Sequence, residues 1–178
     1  MPIREAEPAD AKSIAKVHIQ TWQTSYAGII PTEYLASLSY QEREARWVDI
    51  LEANRPAMSN FVAEAKGEGV VGFAGGGPER DGDQTYRGEL YAIYVLQRYQ
   101  RRGFGRGLAS AVVNRLRQDG FCSMLVWVLQ DNRPACRFYE VLGGKKVKEK
   151  TIEIGGANLV EVAYGWQDIT ALTAAPKA

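Results

Sequence analysis

Apolar positions recur at helical spacing in several stretches of this chain, and in most of the others they alternate or run together as in strands. Ile14, Val17, His18, Thr21 and Trp22 follow Pro8 at such spacing and predict a first helix with the proline in its opening turn. Tyr34, Leu35, Leu38, Trp47, Val48 and Leu51 keep the period from Pro31 to about Asn54, broken near Ser39-Tyr40, and predict two short helices. Phe104, Leu108, Val112 and Leu116 recur every four residues and predict a helix that stops at Asp119-Gly120. A last helix carries Ala135, Phe138, Tyr139 and Leu142 on one side, between Asn132-Arg133-Pro134 and Gly143-Gly144.

The strand signals interleave with these. Residues 3–6 read as a short first strand, and residues 61–65 and 70–74 flank the turn-rich Lys66-Gly67-Glu68-Gly69, so they pair as a hairpin. Residues 75–83, rich in glycine and charge, read as a polar loop. Residues 89–96 are aromatic and β-branched, and residues 123–129 form a continuous apolar run suited to a strand buried on both faces. Strand, helix and strand in that order imply a parallel crossover. A final hairpin joins residues 146–154 and 158–166 through Gly155-Gly156. The expected class is α/β with an α+β-like mixed sheet.

Composition narrows the chemistry. A length of 178 residues with 46% hydrophobic and 24% charged residues suits one domain, expected at 1–169 with a disordered tail at 170–178. The formal net charge of +1 supplies no extended basic face, so neither nucleic acid nor a membrane surface is expected as partner. Two cysteines and one histidine cannot assemble a disulfide framework or a Cys/His metal cluster, so no metal is expected. The N-terminus lacks the apolar core of a signal peptide and residues 124–129 are too few to span a bilayer, which points to the cytoplasm.

The densest chemical signal is Gln100-Arg101-Arg102-Gly103-Phe104-Gly105-Arg106-Gly107-Leu108, between a predicted strand and a predicted helix. The first amides of a helix lack intrahelical partners and its dipole is positive there, so an anion can be held by backbone alone. A dinucleotide fingerprint needs G-x-G-x-x-G directly after a strand, whereas the spacing here is G-x-G-x-G, well past Leu96.

Gln100-x-x-Gly103-x-Gly105, followed by Asn132-x-x-Ala135-x-x-Phe138-Tyr139-x-x-x-Gly143, resembles the paired signatures of the GNAT superfamily of acetyl-CoA-dependent N-acetyltransferases. The strand at residues 89–96 and the element order from Ile3 to Trp166 extend the likeness over nearly the whole chain. Gln97 stands where a proline is common and Arg101 where a glycine is common; both keep their amides. Val126, Trp127 and Val128 replace the glutamate that a branch acetylating ribosomal N-termini places before the asparagine.

The resemblance implies a GNAT-like fold of about seven strands, with a central parallel pair, and about four helices. It implies acetyl-CoA as co-substrate, its pyrophosphate held by the loop at Gln100, Arg101, Arg102, Gly103, Phe104, Gly105 and Arg106. The free strand edge at Ile93, Tyr94 and Val95 would hold the pantetheine, Asn132 would contact the cofactor, and Tyr139 would return a proton to the departing thiolate. Glu89 reads either as a solvated strand end or as the general base that deprotonates the amine. Trp22 and Tyr26 form a helical stripe that reads as core or, with Tyr91, as an aromatic surround for the acceptor; His18 is an alternative base. The expected acceptor is a small-molecule amine. A peptide amine, or a non-catalytic acyl-CoA-binding module, is the alternative, and a homodimer is possible on family grounds.

Overall fold

The structure is a computed structural model that describes residues 2–53, 55 and 57–173. Seven strands form one sheet in the order β1-β2-β3-β4-β5-β7-β6: β1 (Ile3–Glu5), β2 (Ser59–Ala65), β3 (Gly69–Pro78), β4 (Gly88–Val95), β5 (Met124–Leu129), β6 (Lys145–Ile154) and β7 (Ala157–Trp166). All neighbours run antiparallel except β4 and β5, the expected parallel pair. Five α-helices complete the fold, against the expected four or so: α1 (Ala11–Ser25), α2 (Thr32–Ala36), α3 (Tyr40–Glu52), α4 (Phe104–Gln118) and α5 (Arg133–Val141).

Each face of the sheet is covered. Leu108, Val112, Val113 and Leu116 put the apolar stripe of α4 against Ala74, Leu90 and Val126, and Cys136 and Tyr139 of α5 extend the same core. On the other face Ile14 and Val17 of α1 join Trp47 of α3 around Val62 and Phe73. Beyond the end of α1, Tyr26, Ile30, Leu35 and Leu129 make a third cluster, which Ile152, Ile154 and Leu159 of the final hairpin join.

One expectation is corrected. Gly75, Gly76, Gly77 and Pro78 are not loop but the end of β3, paired with β4. The glycines are there because neighbouring atoms occupy the space of a side chain. A Cβ on Gly76 would lie 2.5 Å from Val112 Cγ1 and 2.8 Å from the Glu89 carbonyl oxygen, and one on Gly77 would lie 2.7 Å from the Tyr91 hydroxyl. Thr170–Thr173 forms a short 3-10 turn, with Leu172 packed on the main core. The remainder of the expected tail, 174–178, lies outside the described residues.

A charged clasp fixes the N-terminal edge. Arg4 donates to both oxygens of Asp10 at 2.7 and 2.9 Å and to Glu64 at 2.7 Å, tying β1 to the start of α1 and to β2. Asp10 also accepts the Glu7 amide at 2.9 Å, and hydrogen bonding to Arg4 holds its carboxyl below the usual range. Its stabilising contribution is therefore present above the unfolded pKa of about 3.9 and is lost as the pH falls through the lower folded value. We expect Asp10→Asn to lower stability at pH 7 by about 1–3 kcal/mol, a difference that starts to shrink below about pH 4 and closes once the pH is under the lower folded value. Urea unfolding at the two pH values checks both parts.

Candidate active site

The site begins where the sheet stops pairing. Between β4 and β5 only Gly88 with Met124 and Glu89 with Leu125 are in register. Beyond these pairs the strands diverge, so the β5-facing edge of β4 runs on through Ile93, Tyr94 and Val95 with no strand partner. A bulge at Tyr91, where the register with β3 shifts between Gly75 and Gly76, lets β4 turn away.

Past β4, a 3-10 turn at Gln97–Tyr99 leads into the glycine loop. Gln100 donates its side-chain amide to the Val95 carbonyl at 3.0 Å, which ties the loop to the end of the strand. Arg101 (φ 58°) and Gly103 (φ 88°) both take the left-handed conformation, which turns successive amides toward one concave surface. Arg101 is the one described non-glycine residue with positive φ, so the backbone is strained at this position. The first backbone bond into α4 comes from the Gly107 amide to the Gly103 carbonyl at 3.0 Å; among the described residues the amides of 101–106 donate to no backbone carbonyl. They stand at the positive end of a 15-residue helix, the arrangement that favours a bound anion. Arg101, Arg102 and Arg106 are exposed around them, whereas Arg98 is paired with Glu68 at 2.9 Å.

Helix α5 forms the opposite wall. Asn132 caps it, its Oδ1 accepting the Ala135 amide at 3.3 Å, and its Nδ2 has no protein partner among the described residues. Tyr139 projects from the same helix into the floor of the cleft, in a crevice shared with Leu90, Arg106, Met124 and Trp166. It is buried, ringed by Phe138, Tyr164 and Trp166, and its hydroxyl has no hydrogen-bond partner among the described residues. Burial, then the neighbouring Tyr94 and Cys136, push its phenol well above the ordinary range, so it stays protonated.

Glu89 is 2% exposed and belongs to an ion pair with Arg80. The guanidinium engages both carboxylate oxygens, with Nε at 3.0 Å from Oε2, and lies 4.5 Å from the centre of the Tyr91 ring. The Tyr91 hydroxyl in turn donates to the Pro78 carbonyl at 2.6 Å. Both side chains are thus committed to the β3–β4 connection.

The structure brings Trp22 and Tyr26 together, with ring centres 5.2 Å apart, but not with Tyr91. Their partner is Tyr94, whose hydroxyl is 3.4 Å from that of Tyr26. Sequence reasoning had valued Tyr94 for its backbone alone. His18 is excluded as a base. It stacks on Tyr94 and accepts from Trp47 Nε1 at 3.4 Å, and burial, helped by Arg43 and Arg46, pushes its pKa down to about 3. An imidazole so weak cannot take a proton from an ammonium group.

The chain matches the Acetyltransferase (GNAT) family over residues 19–143. It is 45% identical to the uncharacterized N-acetyltransferase YuaI of Bacillus subtilis (strain 168), over 96% of this chain and 95% of that one. Among solved structures it superposes on yncA from Salmonella typhimurium with its cofactor acetyl-CoA (TM-score 0.69, 21% identity), covering 100% of this chain and 98% of that one. It also superposes on the paia N-acetyltransferase from Thermoplasma acidophilum in complex with coenzyme A (TM-score 0.68, 20% identity, 90% and 96% covered). At these identities the two structures speak for the fold.

Proposed function

Because this chain belongs to the Acetyltransferase (GNAT) family, we propose that it moves an acetyl group from acetyl-CoA to a primary amine of a small molecule, with both substrates bound together. The observation that carries this reading is the juxtaposition of the unpaired amides at 101–106 with a strand pair that parts after Glu89 and Leu125. An anion-binding loop at the mouth of an unpaired strand edge fits a ligand with a phosphate group at one end and an amide-bearing arm beyond it.

When bound, acetyl-CoA supplies an activated thioester. The amides of Arg101, Arg102, Gly103, Phe104, Gly105 and Arg106 would hold its pyrophosphate, with charge added by the exposed arginines. The open edge of β4 at Ile93 and Tyr94 would align the pantetheine arm, while Val95 lends its carbonyl to Gln100 and so fixes the loop at the right distance. Asn132 Nδ2 is free to donate from the far wall. Holding both reactants in line contributes much of the rate enhancement, since orientation alone is worth up to about 7–11 kcal/mol. Tyr139, kept protonated by its surroundings, would donate to the leaving sulfur.

A covalent acetyl-enzyme is disfavoured. Cys136 is buried, which pushes its thiol up and away from the reactive thiolate, and Cys122 is exposed on the chain's surface. Both cysteines are free, and no helix among the described residues is long and apolar enough to cross a membrane. These facts are consistent with a reducing cytoplasmic setting.

Titration calorimetry with acetyl-CoA, followed by thiol release over a panel of primary amines, tests the proposal. Saturable binding and amine-dependent release of CoA are expected. Binding without release for any amine marks an acyl-CoA-binding module instead, and absence of binding overturns the reading.

A further inference from the structure

Strand register on the face away from α5 lines up Leu129, Glu161 and Lys150, and beside them Trp127, Ala163 and Lys148. The β3–β4 connection crosses this face. There Asp81 pairs with Lys150 at 3.2 Å, Asp83 pairs with Lys148, and Arg80 pairs with Glu89. Each of these three cations therefore already has its carboxylate.

Glu161 does not fit that scheme. It is half buried, yet it makes no hydrogen bond or ion pair among the described residues. Its carboxylate is reached by solvent and has no protein partner among the described residues, so it is open to a cationic ligand. Trp127 contributes a second open group, because its Nε1–H is buried with no acceptor. The same ring takes the Lys150 ammonium at 4.0 Å from its centre, so this face of the sheet accommodates a cation against an aromatic surface.

The charged and titratable groups facing Glu161 are Lys150 from β6, Arg80 and Asp81 from the β3–β4 connection, and Glu89 from β4. Tyr26, at the end of α1, and Tyr94 of β4 also feel its charge. Burial outweighs the two cations and lifts the Glu161 carboxyl above its ordinary range, which brings it closer to the value a base needs near neutral pH.

We propose that Glu161 receives the acceptor's ammonium group and takes one proton from it, and that the acceptor is a primary alkyl or arylalkyl amine. This rests on the amine acetylation proposed above. In the step itself, one N–H bond of the ammonium breaks toward a carboxylate oxygen of Glu161. The nitrogen keeps the electron pair with which it attacks, and Glu161 later passes the proton to water. The apolar body of such an amine meets Leu129, Leu159 and Ile152, which belong to the cluster around Tyr26 and Trp22.

The test compares wild type with Glu161→Gln, using phenethylamine as the probe. In the free protein, phenethylamine should shift the Trp127 indole N–H resonance, and the shift should be lost in E161Q. In the presence of acetyl-CoA, E161Q should turn phenethylamine over about a hundredfold more slowly and lose the acidic limb of the pH profile. Its acetyl-CoA dissociation constant, measured by calorimetry, should match wild type and shows that the variant is folded. The assignment is overturned if E161Q keeps the wild-type rate and pH profile, or if the indole shift is absent or survives the substitution. Failure of wild type to bind acetyl-CoA is a different result: it removes the proposed function, while the indole shift still reports on the amine site.

Discussion

Tyr139→Phe is expected to lower kcat by about a hundredfold, with acetyl-CoA affinity and thermal stability close to wild type. The reason is local. The hydroxyl makes no hydrogen bond within the described protein, so its removal strands no partner, and the ring keeps its contacts with Phe138, Tyr164 and Trp166. What the substitution removes is a proton held ready beside the cleft. Because the phenol is pushed above its ordinary value of about 10, it remains a donor throughout the usual assay range. The deficit should therefore be constant from pH 6 to about 9 and should not trace a titration. Steady-state thiol release across that range measures it. An unchanged kcat overturns the role of Tyr139 as proton donor.

Gly76→Val is expected to destabilise the fold by about 3 kcal/mol or more, at the upper end for overpacking. Even the first carbon of the new side chain would lie 2.8 Å from the Glu89 carbonyl oxygen, and backbone in mid-sheet cannot step aside as a flexible side chain can. The other clash, with Val112, would push α4 off the sheet. Since the same helix is proposed to offer its amides to the cofactor's pyrophosphate, the variant should lose acetyl-CoA affinity as well as stability. A urea unfolding curve and a calorimetric titration separate the two effects. A midpoint equal to wild type would mean that β3 and β4 are not packed as described.

The elements that could be read from the residues are those whose signal is local. Phe104, Leu108, Val112 and Leu116 carry their period whatever the rest of the chain does, and the turn at Gly155-Gly156 announces its hairpin. The glycine loop was legible for the same reason, since helix N-termini and positive-φ glycines form one short stretch. The glycine run at the end of β3 was not. Glycine ordinarily signals a turn, and here it is demanded by Val112, Glu89 and Tyr91, which are remote in sequence.

The acceptor side was harder for a related reason. That Arg80 closes on Glu89, or that Lys148 and Lys150 hold the β3–β4 connection, depends on pairings between elements and not on spacing within one. Glu161 did leave a trace. It is the one acidic residue in the run Leu159-Val160-Glu161-Val162-Ala163, at a position that the strand's period turns to the same side as Leu159 and Ala163. An unexplained charge in an apolar strand was the same clue that drew attention to Glu89. Applied to β7, it would have found Glu161, which has no partner among the described residues.

The short pairing of β4 with β5 has a consequence for how the protein avoids its neighbours. A strand with unused amides and carbonyls invites any extended chain to add to it, and such edges are normally shortened, charged or hidden at the rim of a sheet. In this fold the edge lies in the middle, walled by α4 on one side and by α5 on the other. The adhesive property that would cause aggregation at the periphery is turned inward, where only a slender flexible arm can reach it. In the proposed reading, recognition of the ligand's backbone-like portion and protection against unwanted strand addition follow from the same geometry.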